Sequence, residues 1–314
     1  MSIKFGANYV LAVQGADGNT ITISYPLTID FNITRMAWSS VEECTIRVRN
    51  LNLQTRTNIF KDWQDMAYWR TLKLNAGYGV PPSLPTIFNG GVRYAYSFKD
   101  SGSTDNITEI TGWIGYVPKT AQIHRNLPGS PTSPVPQQAV VNALVDNLVS
   151  TPNSLVAGNT ETTGLSRGYI SKFTKSYPRG RTLMGNTWNL LQQETNYSAY
   201  INNNKINILQ NFDSFDTKIY NINADTGLLS SPRRSQAWVD VEILFEPNIE
   251  SAGQLVNLTS QTGDPKWNGV YKVVGLEHRG IISGSVNGKR VTKLRLQAQS
   301  QQFNQIPSSE GVQG

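Results

Sequence analysis

Only one cysteine, Cys44, occurs in 314 residues. This excludes an internal disulfide, and with it the small cysteine-stapled scaffold of many secreted proteins. The two histidines, His124 and His278, have no paired cysteines near them, so no zinc-ligand spacing is recognisable and neither a metal nor any other cofactor is expected. Charge is sparse as well. Lys and Arg number 28 against 22 Asp and Glu, giving a net charge of +6 on a chain that is only 16% charged. No stretch approaches the roughly 20 apolar residues of a membrane-spanning helix. The amino-terminal segment MSIKFGANYVLAVQGADG contains an apolar run only from Tyr9 to Val13, too short for the core of a signal peptide. The expectation is a chain made in the cytoplasm, with no membrane anchor.

What the chain has instead is amides and aromatic rings. Asn and Gln together number 47, and 7 Trp, 13 Tyr and 10 Phe supply enough burial to exclude a disordered chain. Its polarity is therefore that of hydrogen-bonding groups, not of charge.

Apolar residues alternate from Thr20 onward: Ile21, Ile23 and Tyr25, then Leu27, Ile29, Phe31 and Ile33. A period of two implies strands with one wet face. A third alternating run puts Cys44, Ile46 and Val48 on one side and Thr45, Arg47 and Arg49 on the other, so Cys44 reads as a small core residue. Residues 52–62 read as a short helix capped by Asn52, with Leu53, Thr57 and Phe60 near one face. Strand-like segments follow at 68–76, at 86–98 around a turn at Asn89-Gly90-Gly91, and at 106–117. That spacing suggests a small antiparallel barrel or sandwich.

Composition changes at Pro118. Prolines 118, 128, 131, 134 and 136 mark an extended linker over 118–138. Beyond it come an amphipathic helix at 137–148, a second helix from about Thr182 to Gln193, and a hairpin turning at Asn202-Asn203-Asn204, together a small α+β unit over 139–215. Strands return at 240–245, 254–258, 270–277 and 291–298, with Asn287-Gly288 read as a primed hairpin turn. The tail, 301–314, lacks periodicity and reads as flexible.

Chemistry is hard to place. GLSRG (164–168) matches the G-x-S-x-G elbow, and Asp240 and His278 follow Ser166 in hydrolase order, but the preceding AGNTETT cannot form the strand an elbow needs. GSVNGK (284–289) falls one residue short of a P-loop and reads as a hairpin. The basic pairs are scattered: Arg47 and Arg49, Arg179 and Arg181, Arg233 and Arg234, Lys289 and Arg290. They read as solvated faces and subunit contacts, with Arg179-Gly180-Arg181 beside Tyr177 the best candidate for nucleic-acid binding.

Two stretches carry a family resemblance. TIRVRNLNLQTRTNIFKDW (45–63), with LKLNAGYG (72–79) and PTIFNGGVRYAYSF (85–98), resembles the first tube-like domain of baseplate hub proteins from phage contractile tails, related to the amino-terminal region of type VI secretion spikes. INADTGLLSSPRRSQAWVDVEILFEPNIESAGQLVNL (222–258), with WNGVYKVVGLEHRGIISGS (267–285), resembles the later tube-like domain of those hubs. The resemblance implies a mainly β protein with a small α+β insertion and two tube-like antiparallel β-barrel domains, at 1–117 and 216–300. One strand of the first barrel could be supplied from beyond the insertion. It further implies a non-enzymatic homotrimer whose pseudo-sixfold ring joins the hexameric tail tube protein to a separate trimeric central spike protein in the virion baseplate. Tape measure and baseplate wedge proteins would be further partners, and the genome would pass through the channel without specific binding. Arg47, Arg49, Arg233 and Arg234 are the expected interface residues. The competing reading is a carbohydrate-binding or host-attachment module of the same particle, since exposed Trp and Tyr among amides also suit sugar stacking.

Overall fold

The computed structural model describes residues 6–37, 42–65, 70–114, 120–151, 165–210, 213–214, 219–235, 238–249, 252–262, 265–285 and 288–298. The first third supplies β1 (Ala7–Gln14), β2 (Thr20–Ser24), β3 (Ile29–Met36), β4 (Glu42–Arg49), helix α1 (Leu53–Ile59), β5 (Thr71–Tyr78), β6 (Thr86–Lys99) and β7 (Asn106–Ile114). The alternation read from the sequence is the alternation of burial. On β4, Glu42, Cys44, Ile46 and Val48 point inward while Glu43 and Arg47 point out. Cys44 is fully enclosed, and burial pushes its thiol pKa up.

The middle of the chain forms β8 (Gln122–Leu127), β9 (Val135–Pro136), α2 (Gln137–Ser150), β10 (Ser166–Ile170), β11 (Ser176–Tyr177), β12 (Arg181–Asn186), α3 (Thr187–Glu194), β13 (Ala199–Asn202) and β14 (Lys205–Ile208). The last third forms β15 (Tyr220–Ile222), β16 (Arg233–Ser235), β17 (Trp238–Leu244), β18 (Leu255–Leu258), β19 (Gly269–Ile282) and β20 (Arg290–Ala298). The protein is therefore mainly β with a small α+β insertion. Its two β regions share one 13-stranded sheet whose main path runs β16-β17-β20-β19-β3-β4-β7-β6-β5-β1-β2, with β15 and β18 off that path. The path is open at β2 and β16, and no closed ring of strands forms among the described residues.

β19 makes this continuity. Its first residues pair with β18 (Leu255↔Lys272 to Leu258↔Gly269), and its later ones pair along the same edge with β3 (Gly275↔Met36 to Ile282↔Ile29). β20 runs along the other edge. One strand from beyond the insertion thus extends the first β region. The main apolar core follows the same logic, because Phe245 and Ile282 are buried in it beside Phe31, Ile46 and Phe88. A second core lies within the last third around Val241, Val256, Val273 and Leu294.

Some local expectations give way to tertiary contacts. Asn89-Gly90-Gly91 makes no turn, and β6 runs straight through it. Here glycine serves close packing: a Cβ on Gly90 would sit 2.5 Å from the Trp113 carbonyl oxygen, and one on Gly112 would sit 2.5 Å from Leu72 Cδ2. On α1, Asn52 accepts a hydrogen bond from the Thr55 N–H as read, but Leu53 and Phe60 are exposed and Ile59 is the buried residue. The helix expected from Thr182 begins only at Thr187, because residues 181–186 pair with β8 as β12. That pairing also places 122–127 of the Pro-rich segment within the insertion's own sheet. The Asn-rich hairpin is as read, with Asn203 and Asn204 both at positive φ (45° and 60°), as a primed two-residue turn needs. Asn287 and the tail 301–314 lie outside the described residues.

Candidate assembly surfaces

The outward face of the shared sheet carries rows of paired charges that cross both β regions. Arg47 Nε donates to Glu109 Oε2 on β7 at 2.7 Å, with Asp30 on β3 on its other side in register. Arg49 donates to Asp105 at 3.0 Å. Farther along, Lys293 lies 3.2 Å from Glu277, Arg295 lies 2.9 Å from Asp240, and Lys289 lies 2.5 Å from Glu242. The Lys289 hydrogen bond holds the Glu242 carboxyl below its usual pKa. Exposed pairs of this kind are worth about 0–1 kcal/mol each to the folded chain. Their regularity keeps the face polar while leaving little net charge on it.

The four arginines expected at interfaces are not brought together. Arg47 and Arg49 sit on β4 with side chains 51% and 41% exposed. Arg233 and Arg234 are exposed on β16, at the far edge of the sheet, with β17, β20, β19 and β3 between them and β4. The Arg233 side chain makes no ion pair or hydrogen bond among the described residues. It borders a groove of about 540 Å³, lined also by Met36, Asp240, Glu277 and Arg295, where β3 of the first region meets β19 of the last.

The residues of the rejected catalytic motifs are also located. Ser166 lies within β10, its Oγ 3.4 Å from the Asn204 carbonyl, and not on a strand-to-helix turn. His278 is fully buried on β19. Its Nε2 lies 3.0 Å from the Ile249 carbonyl oxygen, which can only accept, so Nε2 carries the proton and Nδ1 accepts from the Thr292 hydroxyl at 2.8 Å. Burial, with the nearby Arg35 charge adding to it, pushes the His278 pKa down to about 3.

A sequence profile described as baseplate hub gp41 matches residues 10–279. The chain belongs to this baseplate hub family. Its fold is similar to that of a tail protein from Neisseria meningitidis MC58 (TM-score 0.57, 6% identity, covering 92% of this chain and 96% of that one). It is equally similar to the 43 kDa tail protein of prophage MuSo2 from Shewanella oneidensis (TM-score 0.56, 6% identity, 93% and 98% covered). The E. coli c3393 protein, a component of the type VI secretion system, aligns at TM-score 0.50 and 8% identity over 88% of this chain and 75% of its own. At such identities the likeness is one of fold. Among curated proteins, none matches this chain in sequence. Family membership makes the hub a structural component of a tail baseplate.

Two features of the hub escape pattern reading. The first is an aromatic corner: Phe60, Trp63 and Tyr96 are exposed around a groove of about 320 Å³, with Tyr94 stacked on Tyr96 at 5.7 Å between ring centroids. A two-way backbone bridge between Lys61 and Ala95 holds the Phe60–Trp63 loop against β6. The i, i+2 spacing of Tyr94, Tyr96 and Phe98 was legible, but not its meeting with a loop more than thirty residues earlier. The second is a buried clamp. Arg35, 1% exposed, reaches the Ile87 carbonyl at 2.5 Å and Asn203 Oδ1 at 2.7 Å and lies 3.5 Å from Glu42, tying the insertion's hairpin to the first β region. The Tyr200 hydroxyl donates to the Ala252 carbonyl at 2.6 Å and ties the same hairpin to the last third.

Proposed function

We propose that three copies of this hub form a ring in which the β regions 1–117 and 216–300 of each chain take alternate positions, giving a pseudo-sixfold platform. One side of that ring matches the hexameric tail tube protein, and the other seats the trimeric central spike protein. The observation that carries this reading is the sharing of β19 between the two β regions. A single sheet fixes their relative orientation inside one chain, which is what two neighbouring positions of one ring require. The role is structural, without catalysis, and the extension of the platform to tape measure and wedge proteins belongs to the same reading. Arg233 and Arg234, together with the partly exposed Arg47 and Arg49, are the contacts assigned to neighbouring subunits.

The test is the mass of the purified full chain by light scattering behind a sizing column, alone and with the spike protein of its particle. A trimer, or a monomer converted to one three-to-three complex by spike, is the expected result. A monomer that ignores spike would overturn the proposal. The groove between Phe60, Trp63 and Tyr96 favours a second reading, attachment to host saccharides, since open aromatic faces beside the Asp62 carboxylate suit sugar stacking. Glycan binding by the monomer, lost on Trp63→Ala, would select it.

A further inference from the structure

The Pro-rich segment and the insertion together hold most of the chain's net positive charge. Residues 118–215 contain eight Lys and Arg against four Asp and Glu, an excess of +4 out of +6, and four of those eight bases fall within ten residues, Lys172 to Arg181. The structure brings two of them to one ring. Lys175 Nζ lies 5.1 Å and Arg181 Cζ 5.4 Å from the centroid of Tyr177. The Tyr177 hydroxyl donates to Glu194, which is 8% exposed and also lies 3.5 Å from Arg181 Nη2. Burial, and then this bond, push the Tyr177 pKa up to about 12.

The support is rigid. Pairing of β11 with β9 fixes Tyr177 opposite Val135, and Gly180 closes a turn by donating to the Tyr177 carbonyl at 3.1 Å. At φ +75°, with its α-carbon facing the Leu127 carbonyl and Gly129, only glycine fits that turn. Arg179 sits at its exposed tip with no partner among the described residues, and Lys172 and Lys175 are exposed. One buried carboxylate cannot balance four cations. Like charges on one fixed scaffold repel each other unless an anion joins them.

We propose that this Tyr177 corner docks an acidic segment of another protein of the tail. Charge complementarity selects an acidic occupant, and the arrangement favours protein over nucleic acid. Phosphate tracking needs cations spaced along a groove with aromatic faces open to the bases. Here Lys175 and Arg181 already rest against the one ring, and its hydroxyl is committed to Glu194. Tyr and Arg braced in this way are the usual anchors of protein interfaces. The inference draws on family membership and is independent of the ring reading.

The experiment is fluorescence anisotropy of a labelled deca-glutamate peptide with the full chain at about 50 and about 200 mM salt, beside a single-stranded DNA decamer. The peptide should bind, more weakly at the higher salt. The variant Lys175→Glu with Arg179→Glu should bind it at least about tenfold more weakly. Lys175→Gln with Arg179→Gln should fall between. Both variants should keep the thermal melting and the light-scattering mass of the parent, which separates this site from ring assembly. Absence of peptide binding, tighter binding of the DNA than of the peptide, or equal binding by the charge-reversed variant would each overturn the proposal.

Discussion

The rings of Phe31 and Phe245 lie 5.6 Å apart, centroid to centroid, with their planes inclined at 58°. Phe31 is on β3 and Phe245 follows β17, so the core of the first β region is completed by a residue from the last third. Tyr78 and His278 pack against the same Phe245 ring at 6.1 and 5.5 Å. Phe245→Ala should therefore cost about 3–5 kcal/mol in urea unfolding. The loss should appear in one transition for both β regions. Two separate transitions, with only the last third weakened, would contradict a shared core.

His278 makes stability depend on pH. It is neutral when folded, with a pKa near 3, against an ordinary value of 6.5. Between those values the unfolded chain binds the extra proton, so the stabilisation is fully present above pH 6.5 and declines as pH falls toward 3. The slope from this one residue approaches about 1.4 kcal/mol per pH unit in the steepest part of that window. Urea unfolding at pH 7 and pH 5 measures it. His278→Gln should be less stable at pH 7 but should lose less stability than the parent on going to pH 5; an equal loss would assign the acid sensitivity elsewhere.

Gly112 on β7 meets Leu72 and Phe88 with no room for a methyl group. Gly112→Ala should destabilise the fold by about 1–3 kcal/mol, because both neighbours are fully buried and cannot swing away. A change below about 0.5 kcal/mol in the denaturation midpoint analysis would mean that the sheet relaxes locally.

Arg233 and Arg47 separate assembly from folding. The Arg233 side chain has no ion pair or hydrogen bond among the described residues, so Arg233→Glu should leave stability within about 0.5 kcal/mol of the parent while weakening trimer formation. Arg47→Glu would place a carboxylate beside Glu109 and Asp30, and should cost the monomer about 1 kcal/mol as well. Light scattering together with thermal melting of each variant distinguishes the two effects. A fully trimeric Arg233→Glu protein would remove β16 from the interface.

Much of the local structure was legible because it depends on neighbours along the chain. The alternation on β3 and β4, the inward place of Cys44, the Asn52 cap and the Asn203-Asn204 turn all follow from period and short-range hydrogen bonding. Where a residue's partner is distant, pattern alone misled. The glycines of β6 look like a turn until Trp113 and Ile114 are seen packed on Gly90, and residues 181–186 look helical until β8 pairs with them.

The assembly surfaces divide in the same way. That Arg47 and Arg49 point away from the core was readable, since a period of two assigns sides. Their pairing with Glu109 and Asp105 was not, since those partners come from a distant part of the chain. By itself the sequence determined the residue classes: a polar, amide-rich, mainly β chain with one α+β insertion and an arginine pair, Arg179 and Arg181, beside Tyr177. Only the tertiary structure decided that β19 serves both β regions, that Arg35 and Tyr200 clamp the insertion between them, and that Phe60 and Trp63 meet Tyr94 and Tyr96. The physical reason is that strand pairing and burial are contacts between distant segments, set by which edges and faces remain unsatisfied after each segment has formed.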